Sequence, residues 1–304
     1  MNQLFQTLIE EPRIDFLTER NGVEIYVKRD DLIDEKVSGN KLFKLKQNVA
    51  FAKKEHLDTI VTFGGAFSNH IAATATYGNL SSLKTVGILR GERPETLNST
   101  LLHASDQGMD LEFISRSDYR LKSEPDYIAQ LKKRFPNAHI IPEGGANLLG
   151  IEGAKEILNK ATDKFKYVAT AMGTGTTFAG MVKGSEKSQK IIGLPIHKHD
   201  KLLDDINAID LNFDEIHSSK YDIINGYHFG GYAKWKPDLI DFIQEIYGQF
   251  GLKLDPVYTG KALFGIFDLI DKNYFEAESK LLFIHTGGLQ GVEGFEKRFG
   301  LKLF

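Results

Sequence analysis

Short runs of β-branched and apolar residues alternate with longer helix-forming stretches along nearly all of this 304-residue chain. That rhythm constrains the fold more than any other feature. Consecutive strands separated by a helix-length connection pair in parallel, because the connection carries the chain back before the next strand begins. Strands are expected over about 23–29, 58–63, 85–89, 111–115, 138–141, 166–171, 190–194 and 281–285. Helices fill the intervals at about 42–55, 68–77, 95–107, 125–135, 149–160 and 177–183. Two more run from Pro237, well suited to a first helical turn, to about Phe250, and from Tyr258 or Thr259 past Leu269. Residues 197–232 are the least regular stretch and read as loops around short elements. An α/β fold with mostly parallel sheets is expected. No Pro/Ser-rich linker divides the chain, so any second domain is an insertion. Residues 42–150 would form a small α/β domain, and residues 1–41 with 151–304 a large one.

Charge and cysteine content narrow the function classes. A net charge of −3 gives no basis for a nucleic-acid or anionic-membrane partner. The basic run Lys132-Lys133-Arg134 reads as a solvated helix face. The absence of cysteine removes disulfides, thiolate metal sites and cysteine nucleophiles, and suits a reducing compartment. His197 and His199 lack the companions a metal site needs, so no metal is expected. Residues Met1 to Arg13 hold no apolar segment of signal-peptide length, and no run approaches a membrane span. A cytoplasmic protein is expected.

Ser38-Gly39-Asn40-Lys41 lies between the first expected strand and the helix that follows it. Leu42, Leu45, Val49 and Ala52 form the apolar stripe of that helix, and Lys41, four before Leu45, falls on the same side. A lysine deprived of water loses part of its charge, which is what a Schiff-base nucleophile requires. Taken locally, the simpler reading is a lysine whose stem covers apolar surface while its ammonium reaches solvent.

Glycine-marked turns recur at strand ends, at Gly64-Gly65, Gly173 to Gly175 and Gly287-Gly288. Tight βα geometry alone explains any one of them. Together, at the carboxyl ends of a parallel sheet, they mark where ligands bind. The turn Gly173-Thr174-Gly175-Thr176-Thr177 adds three hydroxyls to its amides. It lacks the Gly-Lys-Ser/Thr of a nucleotide loop, and the next strand closes on Pro195-Ile196 with no acid for a ribose, so a monophosphate fits it best. Ser68 is explained as a helix cap, and with Asn69 and His70 it could also hold a carboxylate or a ring hydroxyl.

These stretches, with Gly64 to His70, Glu143-Gly144-Gly145, Asp255 to Lys261 and Ile284 to Gly288, occur in an order that resembles the fold-type II enzymes using pyridoxal 5′-phosphate (PLP). Within them the chain is similar to the branch of 1-aminocyclopropane-1-carboxylate (ACC) deaminase and D-cysteine desulfhydrase. The resemblance implies two three-layer α/β/α lobes with mostly parallel sheets, like the tryptophan synthase β chain. It implies that Lys41, beside Asn40, carries PLP covalently and exchanges it for a small amino-acid substrate. Asn69 would bond the ring hydroxyl, and Gly173, Thr174, Gly175, Thr176 and Thr177 the phosphate. Ser68, Asn69 and His70 would meet the substrate carboxylate, with Tyr258 and Tyr232 lining the pocket as candidate acid/base groups. A homodimer is also implied. The chain departs from the family around Gly230-Gly231-Tyr232, and the loop near 90–96 is shortened.

Two positions bear on the reaction. Where the resemblance puts a glutamate and a leucine in ACC deaminases, this chain has Thr259 and Thr286. A hydroxyl next to the cofactor's ring nitrogen offers no counter-charge, so the ring withdraws electrons less strongly. Thiolate leaves a β-carbon more readily than a ring carbon leaves in opening cyclopropane. The expectation is therefore β-elimination from a small amino acid such as D-cysteine, giving pyruvate, ammonia and sulfide. ACC deamination is the alternative within the family, and a non-catalytic binder of a phosphate ligand is the alternative outside it.

Overall fold

The computed structural model describes residues 12–33 and 39–304, so Ser38 and the first eleven residues, on which part of the leader reading fell, lie outside it. Among the described residues, ten strands form two sheets. The larger contains β1 (Ile14–Arg20), β2 (Val23–Lys28), β7 (Tyr167–Met172), β8 (Lys190–Pro195), β9 (Tyr221–Ile223) and β10 (Lys280–Ile284), in the order β1-β2-β10-β7-β8-β9. The smaller contains β3 (Thr59–Gly64), β4 (Lys84–Arg90), β5 (Met109–Ile114) and β6 (Ala138–Ile141), in the order β5-β4-β3-β6. Every pairing is parallel except that of β1 with β2.

Two strands were not anticipated. β1 joins β2 through Asn21-Gly22, both with positive φ (48° and 75°), the pairing a tight hairpin turn favours. That signal was present in the sequence. β9 is only three residues long, too short to show a period. Helix ends also moved. The helix expected from residue 95 begins at Ser99, where the Asn98 side chain accepts from the Leu101 amide at 3.0 Å. The helix expected over about 149–160 ends at Ala154 and continues as one 3₁₀ turn, Lys155–Ile157.

Alternation along the central strands divides the core. Val168 and Met172 of β7, with Leu282 and Ile284 of β10, pack against the helices Asn40–Lys54 and Thr176–Gly184. Tyr167, Ala169, Leu281 and Phe283, pointing the other way, pack against the helices Pro237–Phe250 and Thr259–Asp271. In the small sheet, Val61, Phe63, Val86 and Ile88 meet Tyr119 and Leu131 on one side. Leu89 meets Ile71, Ala75 and Leu101 on the other. Strands buried on both faces read as continuous apolar runs, which is why they were legible.

Candidate active site

A cavity of about 720 Å³ opens where the chain leaves the carboxyl ends of β3, β4, β6, β7 and β10. The glycine-marked turns form much of its wall.

The helix Asn40–Lys54 enters it through Gly39. This glycine has φ 73°, and a Cβ there would lie 2.0 Å from the Thr286 carbonyl oxygen, so no other residue fits. The Asn40 amide donates to that same oxygen at 3.3 Å. The start of the helix is thereby fixed on the turn after β10. Lys41, its second residue, faces the cavity, and its Nζ donates to Asn40 Oδ1 at 2.9 Å. Burial lowers its pKa from 10.5 to about 8, with Asp255 pulling the other way. About a tenth of the amine is then free at pH 7, far more than in an ordinary lysine. The half-buried side chain turns its ammonium into the cavity and onto Asn40, where the simpler local reading sent it out to the surface.

One turn further on, Lys44 also lines the cavity, and the sequence reading missed it. It is 3% exposed, donates to the Gly144 carbonyl at 3.1 Å, and is held well below its ordinary pKa by burial and then by Lys41. The available signal was its place three residues from Lys41, toward the same side of the helix. Two desolvated amines beside one cavity favour an anion between them.

The turn after β7 supplies a second anion-binding element. Gly175, with φ 77°, caps the helix Thr176–Gly184, whose first amides have no partner within the helix. Asn40 Nδ2 donates to Thr177 Oγ1 at 2.7 Å, joining this turn to the Lys41 helix. Gly173, Thr174, Gly175 and Thr177 line the cavity. Thr176 does not. It is fully buried, with its hydroxyl 3.0 Å from that of Thr174.

Ser68 caps the helix Asn69–Leu80 by accepting from the Ile71 amide at 3.3 Å, and its hydroxyl proton has no acceptor among the described residues. Asn69 lines the cavity and accepts from Gln290. His70 is buried. Thr62 gives its one hydroxyl proton to the Ile141 carbonyl at 2.8 Å, so it must accept from His70 Nε2 at 2.9 Å. His70 Nδ1 is then a bare acceptor with no partner among the described residues. Burial, then Lys41 and Lys44, keep the ring neutral. It cannot supply positive charge to a carboxylate.

Tyr258 and Tyr232 meet edge to face across the cavity, with ring centroids 6.1 Å apart. Burial, then the Tyr232 phenol, hold Tyr258 well above its ordinary pKa, so it stays a proton donor. Thr286 reaches the wall. Thr259, expected beside it, does not: it is fully buried, donating to Asp255 Oδ2 at 2.6 Å and accepting from the Asp255 amide at 2.9 Å. The helix Thr259–Asp271 begins at this residue, and its hydroxyl is spent on closing the Asp255 turn. Arg90, at the end of β4, reaches the cavity mouth over the Tyr119 ring and was not foreseen.

A lysine with a lowered pKa, an anion cradle at a helix N-terminus and a tyrosine donor suit an aldehyde cofactor bearing a phosphate, so the fold and site define the PLP-dependent enzymes. The chain matches the family described as "Pyridoxal-phosphate dependent enzyme" over residues 8–287, and it belongs to that family. It is 35% identical over 300 residues to the bifunctional D-cysteine desulfhydrase/1-aminocyclopropane-1-carboxylate deaminase, mitochondrial, of Arabidopsis thaliana, covering 90% of this chain and 74% of that one. It is 32% identical over 301 residues to a putative 1-aminocyclopropane-1-carboxylate deaminase of Thermotoga maritima, covering 93% and 94%. A crystal structure of an ACC deaminase homologue superposes with a TM-score of 0.83 at 28% identity, covering 99% of this chain and all of that one. A hydrogen sulfide-producing enzyme from Fusobacterium nucleatum shares the fold, with a TM-score of 0.67 at 17% identity.

Proposed function

We propose that this PLP enzyme eliminates the β-substituent of a small amino acid, with D-cysteine as substrate and sulfide, pyruvate and ammonia as products. One observation carries the choice. Among the described residues, the carboxylates lining the cavity are Asp255 and Glu143. Those of Asp255 are taken by the amides of Val257, Tyr258 and Thr259 and by the Thr259 hydroxyl. Glu143 faces Lys122 at 3.5 Å. Asp255 has no lone pair left to accept from a protonated ring nitrogen, and Glu143 is engaged by Lys122, which favours loss of an easy leaving group over ring opening.

The residues that would hold the cofactor are Lys41, Asn40, Asn69, Thr286, the Gly173 to Thr177 turn and Lys44. When bound, PLP supplies an aldehyde that captures amines and an electron-accepting ring that stabilises negative charge at the substrate α-carbon. Ser68 and the first amides of its helix would bind the substrate carboxylate. Lys41 Nζ, partly free of its proton, would accept the α-proton. Tyr258, held in its phenol form, would donate to the departing sulfur.

The bifunctional plant relative supports ACC deamination as the second reading. The family resemblance supports a homodimer, and the absence of cysteine a reducing compartment such as the cytoplasm. The two sheets support the lobe division at residues 42–150 against 1–41 with 151–304. The test of the catalytic assignment is borohydride treatment of the holoenzyme followed by peptide mapping. The cofactor should be fixed on Lys41. Labelling of Lys44 or Lys261 instead would overturn the assignment.

A further inference from the structure

Lys261, the third residue of the helix Thr259–Asp271, is completely buried, and among the described residues its ammonium donates to carbonyls alone. Its Nζ donates to Ile196 O at 3.2 Å, His228 O at 3.0 Å and Gly231 O at 2.8 Å, which uses all three protons. Backbone carbonyls converging on one point can replace the hydration shell of a monovalent cation. Here the cation is tethered to the chain. Burial lowers its pKa to about 8 against the pull of Asp255.

The carbonyls come from two segments that need fastening. Ile196 follows β8. His228 and Gly231 belong to a loop in which Gly226, Phe229, Gly230, Gly231 and Ala233 all have positive φ. Phe229 and Ala233, at 52° and 53°, are not glycines, so this conformation is imposed on them. The same loop presents Tyr232 to Tyr258, and Tyr258 directly precedes the helix that carries Lys261. One helix thus presents one tyrosine and, three residues on, ties down the loop that presents the other.

We propose that Lys261 is a positioning residue, a built-in monovalent cation that gathers the Ile196, His228 and Gly231 carbonyls and so sets Tyr232 against Tyr258 over the cavity. This rests on the reading of the tyrosine pair as facing the substrate. A lysine that merely fills space would be replaceable by any side chain of its volume. One that acts as a cation would be replaceable by a cation in solution, once its stem is removed.

Trp235, the sole tryptophan, lies three residues beyond Tyr232 and packs edge-on against Phe295 and Phe299, so its accessibility reports the loop without reference to chemistry. In Lys261→Ala holoenzyme, acrylamide quenching of Trp235 should rise and kcat/KM for D-cysteine should fall about tenfold, as for loss of a charged hydrogen-bonding group. Potassium or methylammonium should reverse both changes, and tetramethylammonium, too large for the vacated space, should reverse neither. Unchanged quenching, or a loss that no small cation reverses, would overturn the proposal. If Lys261→Ala does not fold, Lys261→Met keeps the volume without the charge. Raised quenching in it supports the cation role, and wild-type quenching overturns it. Should the wild-type enzyme be inert toward D-cysteine, the substrate reading fails and the quenching measurements alone decide for Lys261.

Discussion

The Asn40 side chain donates to the Thr177 hydroxyl at 2.7 Å and accepts from the Lys41 ammonium at 2.9 Å. A single amide therefore joins the reactive lysine to the anion-binding turn after β7. Asn40→Ala breaks both contacts and leaves a buried threonine hydroxyl without its donor. A loss of about 1–3 kcal/mol is expected, seen as weaker PLP retention and a lower Tm. Unchanged PLP affinity would mean that the two elements are held independently.

Lys41 titrates near 8 in the folded chain against 10.5 for a free lysine. Between those values the unfolded chain binds more protons, so stability of the apoprotein should rise with pH across that window. Below it both forms are protonated and the burial penalty is fully present. Denaturant midpoints across the window should rise in the wild type and stay flatter in Lys41→Met. The variant should fold and show no turnover.

Lys44 lends itself to an opposite pair of effects. Lys44→Met removes a buried amine whose charged form burial penalises, so the apoprotein should gain stability. PLP should bind about tenfold more weakly, the loss expected for one charge-assisted hydrogen bond to phosphate, while pyridoxal, which lacks phosphate, should be unaffected. Equal losses for both ligands would place Lys44 away from the phosphate.

Gly175 has φ 77°, and an added Cβ would lie 2.7 Å from Ile206 Cδ1. Gly175→Ala thus strains the backbone and pushes on the Leu202–Ile209 helix as well as disturbing the cradle. A cost of about 1–2 kcal/mol in stability is expected from the left-handed conformation alone, together with faster PLP dissociation. A variant with wild-type Tm and wild-type PLP retention would count against a rigid cradle.

How much of this was legible depended on which residues act through their own neighbours. Lys41, Ser68 and the Gly173 turn stand out locally, because a strand end, a glycine and a helix start adjoin in sequence. Lys44 was hidden in an amphipathic helix in which lysine is ordinary, and only the wall formed by Gly144 reveals it. Thr259 was misjudged because nothing in the spelling tells a hydroxyl facing the cavity from one closing the turn over Asp255. Lys261 was invisible for a similar reason: its three carbonyls come from residues 30 to 65 positions away. The Asn21-Gly22 hairpin was readable, but the helix-and-strand rhythm drew attention to parallel pairing instead.

The choice of chemistry is tested most directly by measuring kcat/KM of the purified holoenzyme for D-cysteine, as sulfide and pyruvate released, and for ACC, as 2-oxobutanoate released. With the Asp255 oxygens consumed by three amides and the Thr259 hydroxyl, the account predicts D-cysteine turnover at least about tenfold above that of ACC, a difference of roughly 1.4 kcal/mol in barrier. Faster consumption of ACC than of D-cysteine would contradict it.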